Sequence, residues 1–294
     1  MQKRKIAAGV AAVGLGLAGA LAAVSPALAG PVSVNGITTH TVVTTASAPA
    51  GNTGEAIAKC GTGQLRTGGG YVINSTVTDF QVFIDAPLNG KSWLVELVNN
   101  DAQPLSFSAY AICAKSVPGK KGVTGYITHV VNSSVDAPPL MTQEADASCP
   151  AGELLTGGGY EVENVSSNWS VYLNAPSASN VWTVEIDNEV PVTTTYDSSA
   201  VCLAKKNGNP VTALAVSTVD TMATVPAMSV QTADVSCGAN ELMTGGGHVI
   251  QSIGQDWIIP ANAPITGNDW QVQVADLDTF SRVFFSIAQC LAAA

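Results

Sequence analysis

The sequence predicts an all-β fold: three tandem, small antiparallel β-sandwich-like domains, each with one intradomain disulfide. Three observations lead there. A pattern of Cys, Thr-Gly-Gly-Gly, Trp and Cys occurs three times at constant spacing. The residues after each repeated tryptophan alternate apolar and polar with a period of two. Finally, 28 Gly and 15 Pro in 294 residues mark short elements joined by many turns. A hydrophobic content of 46% is enough to build cores, and 12% charged residues are too few for a disordered polyelectrolyte.

From the N-terminus, Lys3, Arg4 and Lys5 precede an apolar stretch from Ile6 to Val24, and Ala27-Leu28-Ala29 stands before Gly30. This is the pattern of a secretory signal spanning residues 1–29. The stretch approaches bilayer-spanning length, but its Ala/Gly richness and the Ala-x-Ala site favour cleavage over anchoring. The expectation is a secreted, extracellular protein with no stable membrane insertion after cleavage. The remaining 265 residues hold 9 basic and 22 acidic side chains, a net charge of 9 − 22 = −13. Such a surface repels phosphate backbones and anionic lipid, which argues against nucleic acid as a partner.

Thr67-Gly68-Gly69-Gly70 recurs as Thr156-Gly157-Gly158-Gly159 and Thr244-Gly245-Gly246-Gly247, each beginning seven residues after Cys60, Cys149 or Cys237. Pro87, Pro176 and Pro264 follow those cysteines by 27 residues, Trp93, Trp182 and Trp270 by 33, and Cys113, Cys202 and Cys290 by 53. No insertion interrupts any copy. The repeats define domains near 35–117, 124–206 and 211–292, joined by short basic linkers at 115–122 and 205–210. Whether the three form a pseudo-threefold body or a string is left open by the spacing.

Within a unit, Ile37–Thr45 reads as a strand and 46–54 as a loop. Phe80 to Ile84 alternates as a half-buried strand. Trp182, Val184 and Ile186 point inward while Thr183, Glu185 and Asp187 point outward, and Leu105 to Ala114 is apolar on both faces, as a central strand would be. With the segments around the first cysteine and after the triple glycine, each unit has about six strands, and two sheets covering each other's apolar faces are the natural arrangement.

Six cysteines allow 15 full pairings. Identical intervals in three copies select Cys60–Cys113, Cys149–Cys202 and Cys237–Cys290, and export makes oxidation the expectation. Each bridge would contribute roughly 4 kcal/mol through loop closure, which suits units with small cores. Zinc would need closer Cys/His spacing, so no metal and no cofactor are expected. The tryptophan comes too late between its cysteines for immunoglobulin topology.

With Cys-x6-Thr-Gly-Gly-Gly, Ala-Pro-x5-Trp-x-Val and a closing strand such as Ala109-Tyr110-Ala111-Ile112-Cys113-Ala114, the chain resembles repeats of secreted actinobacterial proteins of unassigned function. The resemblance covers nearly all of the mature chain. It implies export and a disulfide-linked β unit and supplies no catalytic residues.

The triple glycines lack the Lys-Ser/Thr and following helix of a phosphate loop; a bulge, positive φ or close packing under a tryptophan explains them better. His40 and His129 occupy equivalent positions where the third unit has Ser217, and His248 stands where Tyr71 and Tyr160 stand. No nucleophile elbow or zinc-protease motif accompanies them, so no catalytic residue is assigned. Glu96, Glu185 and other carboxylates could assemble a glycosidase pair only through folding. Asp276-Leu277-Asp278 and Glu161-Val162-Glu163 read as exposed strand or turn carboxylates rather than calcium loops.

The candidate ligand-binding residues are Asp79-Phe80, Asn168-Trp169 and Asp256-Trp257, an Asx followed by an aromatic at the same place in every copy. A ring beside a polar oxygen is the pairing that stacks on and hydrogen-bonds a sugar. The favoured alternative is that the Asx ends a turn and the ring opens an inward strand face continued by Val82, Val171 and Ile259. Taken together, the sequence points to a non-catalytic extracellular structural or interaction protein, not an enzyme, with a protein or glycan at the cell surface as partner. Glycan or cell-wall binding through the Asx–aromatic pairs and a carboxylate-based secreted hydrolase are the alternatives.

Overall fold

The computed structural model describes residues 32–294 except 77, 164–167, 252–255 and 266–267. Residues 1–29, which carry the expected secretory-signal pattern, lie outside the described residues. Among the described residues the chain forms eighteen strands. The first repeat supplies β1 (Ile37–Ala48), β2 (Thr53–Lys59), β3 (Leu65–Ile73), β4 (Phe80–Pro87), β5 (Ser92–Asn99) and β6 (Leu105–Ser116). The second supplies β7 (Tyr126–Ala137), β8 (Met141–Ser148), β9 (Leu154–Val162), β10 (Trp169–Ala178), β11 (Val181–Asn188) and β12 (Thr194–Lys205). The third supplies β13 (Leu214–Val225), β14 (Val230–Ser236), β15 (Leu242–Ile250), β16 (Trp257–Pro264), β17 (Asp269–Asp276) and β18 (Arg282–Ala293). There is no α-helix among the described residues, and only a single 3-10 turn, Gly122–Gly125, in the first linker.

All pairings are antiparallel, in three six-stranded sheets ordered β1-β6-β3-β16-β17-β14, β13-β18-β15-β10-β11-β8 and β2-β5-β4-β9-β12-β7. The arrangement is cyclic. Each repeat contributes three strands to one sheet and three to another, and each sheet is completed by a different repeat. Within a repeat the two half-sheets face each other as a small sandwich. The repeats at 35–117, 124–206 and 211–292 are thus units of strand supply, while the body they build is one compact unit running to Ala294.

The joints between repeats are short. Strand β3 meets β16 only at Val72↔Ala261 and Tyr71↔Asn262, β9 meets β4 at Glu161↔Ile84 and Tyr160↔Asp85, and β15 meets β10 at Val249↔Leu173 and His248↔Asn174. The Thr-Gly-Gly-Gly segments lie beside these joints and explain why no side chain is tolerated there. A Cβ on Gly68, Gly157 or Gly245 would fall within 3.0 Å of the carbonyl oxygen of the equivalent threonine in a neighbouring repeat. One on Gly69, Gly158 or Gly246 would enter the ring of its own repeat's Trp93, Trp182 or Trp270. One on Gly70, Gly159 or Gly247 would strike the backbone of Asn262, Asp85 or Asn174. None of the nine has a positive φ, so close approach rather than left-handed backbone is the reason for glycine. A register shift at the threonine marks the bulge in each copy.

Trp93, Trp182 and Trp270 are fully buried, and their indole Nε1 groups donate to Asp85, Asn174 and Asn262 at 2.7, 2.8 and 3.0 Å. Disulfides join Cys60–Cys113, Cys149–Cys202 and Cys237–Cys290, each with a Cα–Cα distance of 5.5 Å, and no cysteine is free among the described residues. Each bridge ties the end of the second strand of a repeat to its sixth, which belong to different sheets, and so staples the two layers. Three disulfides fit an oxidising environment.

Three local expectations change. The loop expected over 46–54 is only a turn, because β1 runs to Ala48 and β2 starts at Thr53. The alternation from Phe80 to Ile84 breaks at a bulge between Val82 and Ile84, so Phe83 and Ile84 are both buried. Asp276 is buried rather than exposed: its Oδ1 accepts from Arg282 Nε at 3.1 Å while Asp278 Oδ2 accepts from Arg282 Nη2 at 2.9 Å.

Candidate functional site

The fourth strand of every repeat begins with the ring of the Asx–aromatic pair, and cyclic exchange carries all three beginnings to the same end of the molecule. Phe80, Trp169 and Trp257 line one open cavity of ≈ 400 Å³, with Asp79, Asn168 and Asp256 around its mouth. Three sequence-distant pairs therefore form one place. The rings are only 6–8% exposed. Trp169 stands edge-on to Tyr160 with centroids 6.5 Å apart, and Trp257 edge-on to Tyr172 at 5.4 Å. They are walls of a cavity and the start of the inward face that Val82, Val171 and Ile259 continue, not a flat exposed stacking platform.

The floor comes from the residue that follows each triple glycine. Tyr71 Oη donates to the Ile259 carbonyl at 3.0 Å, Tyr160 Oη donates to the Val82 carbonyl at 3.1 Å, and His248 Nε2 lies 3.2 Å from the Val171 carbonyl. Each reaches the wall strand of the neighbouring repeat, so the floor also ties the repeats together. His248 is buried, and burial pushes its pKa down to about 4, so the imidazole is neutral at physiological pH and Nε2 is the donor. Position in the repeat marks these three residues as equivalent, but their location beneath a cavity depends on strand exchange that the spacing does not encode.

Two mouth residues carry no repeat signal in their side chains. Asn100 and Glu189 stand at equivalent places, and their backbone N–H groups donate to the carbonyls of Asp79 and Asn168 at 2.9 and 3.1 Å; Leu277 does the same to Asp256 at 2.7 Å. The repeated element is the backbone clamp that fixes each Asx, while the side chains on it differ. Burial together with Asp187 and Asp256 pushes the Glu189 carboxyl up to about 7, and the Ser170 hydroxyl, 3.5 Å from Glu189 Oε1, opposes that shift.

The other candidates stay apart from the cavity. His129 Nε2 pairs with Glu153 Oε2 at 2.6 Å, and in the third repeat Ser217 Oγ donates to Glu241 Oε1 at 3.4 Å, both at the opposite end beside the disulfides. Cys202 and the pair Cys237 and Cys290 lie near these carboxylates, but their sulfurs are committed to bridges and offer no thiolate to a metal. His40, on β1 opposite Cys113, has its pKa lowered by burial and by Lys115. Glu96 and Glu185 lie across from Glu55 and Glu144 in their strand pairs, and burial and those neighbours raise both pKa values; neither lines the cavity.

Comparison with known protein families and with characterised proteins found no match, so the reading of the cavity rests on its own residues.

Proposed function

We propose that the protein is an exported, non-catalytic extracellular interaction protein whose ligand-facing feature is the axial cavity. The observation that carries this reading is the convergence of the Asx–aromatic pair of all three repeats on a single cavity. Cyclic closure by itself brings equivalent residues to one end; what sets this end apart is that the rings there stand with Asp79, Asn168 and Asp256 around an open cavity instead of closing into a packed plug. The size supports it, since cavities of roughly 300–1,000 Å³ suit small ligands or a single inserted side chain. Export rests on the N-terminal signal pattern and on three disulfides. A hydrolase reading draws on Glu189 and Asp256, two interacting carboxylates at one mouth, one of them titrating near 7. Glycan binding would place a sugar edge, not a face, against the buried rings.

The test uses the oxidised chain beginning at Gly30. Incubation with chitin, cellulose, peptidoglycan and peptide substrates is expected to give no turnover. Sustained hydrolysis that disappears in Glu189→Gln would replace the interaction reading with the hydrolase one. Retention on one of the insoluble polymers, lost in Trp169→Ala, would identify the partner as glycan.

A further inference from the structure

We propose that the axial cavity is a binding site for a small organic cation, with its ammonium group at the Asp79, Glu189 and Asp256 mouth and its apolar body against Phe80, Trp169 and Trp257. This deepens the interaction reading above and rests on it.

Charge at the mouth is the first support. Three carboxylates supplied by three different repeats face one opening, and no lysine or arginine is among the described residues that line it. His248 in the floor is neutral. Burial first, and then the like charges of Asp187 and Asp256, raise the affinity of Glu189 for its proton, and no lysine or arginine lines the cavity to oppose them. A ligand ammonium would relieve it.

The distribution of charge over the molecule agrees. Strand direction places Lys59, Lys91, Lys115, Lys120, Lys121, Lys205, Lys206 and Arg66 at or near the end opposite the cavity. Among the described lysines and arginines only Arg282 lies toward the cavity end, and it is buried and held by Asp276 and Asp278. The body is polar along its axis, with the cavity at the negative end, so cations are drawn to the mouth and anions are turned away.

The walls supply the second half of the recognition. The exposed parts of Phe80, Trp169 and Trp257 on the cavity wall bury the apolar body of the ligand while its ammonium stays at the carboxylates. Neutral sugars would gain the contact area without the charge term. A bare metal ion would gain the carboxylates but not the rings.

The experiment measures binding of benzyltrimethylammonium and of the primary amine benzylamine to the oxidised chain by calorimetry, with benzyl alcohol and benzoate as neutral and anionic counterparts. Both cations are expected to saturate one site per chain, with affinity falling as salt is raised, and the neutral and anionic compounds to bind roughly tenfold weaker or worse. In Asp79→Asn/Glu189→Gln/Asp256→Asn, cation affinity is expected to fall roughly tenfold or more while the thermal transition is kept. Ser170→Lys, which tethers an ammonium inside the cavity, is expected to abolish probe binding without loss of fold. Absence of saturable cation binding, or equal binding of benzyl alcohol, overturns the inference. Equal binding of benzyl alcohol that is lost in Trp169→Ala would overturn the cation but leave the cavity as the interaction site. Polymer turnover, by contrast, is the result that removes the interaction reading itself.

Discussion

Arg66 and Asp85 are the two charged side chains that the first repeat buries where the others bury neutral ones. Leu155 and Met243 occupy the place of Arg66, and Asn174 and Asn262 the place of Asp85. Arg66 is fully buried; its Nε donates to the Asn89 carbonyl at 3.0 Å, its Nη atoms have no hydrogen-bond partner, and its guanidinium lies 5.7 Å from the centre of the Trp93 ring. Burial without a carboxylate lowers its pKa to about 9. Arg66→Leu, which copies the second repeat, is therefore expected to raise stability by about 1–2 kcal/mol, the desolvation relieved outweighing one lost hydrogen bond and the ring contact. Chemical denaturation at neutral pH would measure it, and a destabilised variant would mean that the ring contact dominates. Asp85 behaves differently, because its charge can be switched off. It accepts from Trp93 and from Asn262 Nδ2 at 3.3 Å, yet burial lifts its pKa to about 7, well above the unfolded value near 3.9. The native state therefore holds its proton more tightly than the unfolded chain does. Its stabilising contribution is complete below about pH 4 and is lost as pH rises through about 7, a change on the order of 4 kcal/mol. Asp85→Asn, which keeps an oxygen for the indole, is expected to remove that slope and to gain stability chiefly at neutral and alkaline pH. Parallel denaturation curves for the two proteins at pH 4 and pH 8 would show it; an unchanged difference between them would be the contrary result.

At the scale of elements, the triple-glycine strand is where sequence and fold constrain each other most tightly. Gly69, Gly158 and Gly246 lie directly beneath a buried indole that is itself held by Asp85, Asn174 or Asn262, so the ring cannot move aside to admit a methyl group. Gly158→Ala is expected to cost about 3 kcal/mol or more through overpacking, whereas Gly125→Ala, where nothing approaches, should be nearly neutral; thermal unfolding of the pair provides the comparison. The spacing that identified this strand also carried the disulfides, the six strands of a unit and the inward tryptophan, because each follows from local periodicity or from an interval repeated three times. What it could not carry was the exchange of half-sheets. The joints between repeats consist of two residue pairs each, such as Tyr71↔Asn262, too short to leave a pattern. The same limit hid the site. Phe80, Trp169 and Trp257 read correctly as the beginnings of inward strand faces, but that they begin around one cavity depends on which repeat sits beside which. The burial of Asp276 is invisible in the pattern for a related reason: its partner, Arg282, lies across a turn and occurs in one repeat only.

At the scale of the molecule, cyclic sharing makes each repeat incomplete. The second repeat alone would expose the edge of β9 at Tyr160 and Glu161 and the edge of β10 at Leu173 and Asn174, as well as the glycine surface around Gly157. In the intact chain the first and third repeats cover these. The contacts that do so are of types the second repeat also possesses: Asn174 can stand for Asp85 against Gly159, Thr156 for Thr67 against Gly157, and the Val171 carbonyl for the Val82 carbonyl that accepts from Tyr160. This repeat also lacks the buried arginine and aspartate of the first. Three copies can accordingly reproduce the closure that the single chain achieves covalently, with the closed threefold form leaving no unpaired joint. Residues 124–206, expressed alone with their disulfide formed, are therefore expected to sediment as a trimer that dissociates and unfolds together on dilution. The linkers then act by raising the effective concentration of one repeat for the next rather than by specifying geometry. A folded, monodisperse monomer of 124–206 would show instead that each sandwich is self-sufficient and that the cavity is an incidental consequence of tethering. A trimer would show that the cavity is built by the same contacts that hold the molecule together, so that a ligand bound there stabilises all three joints at once.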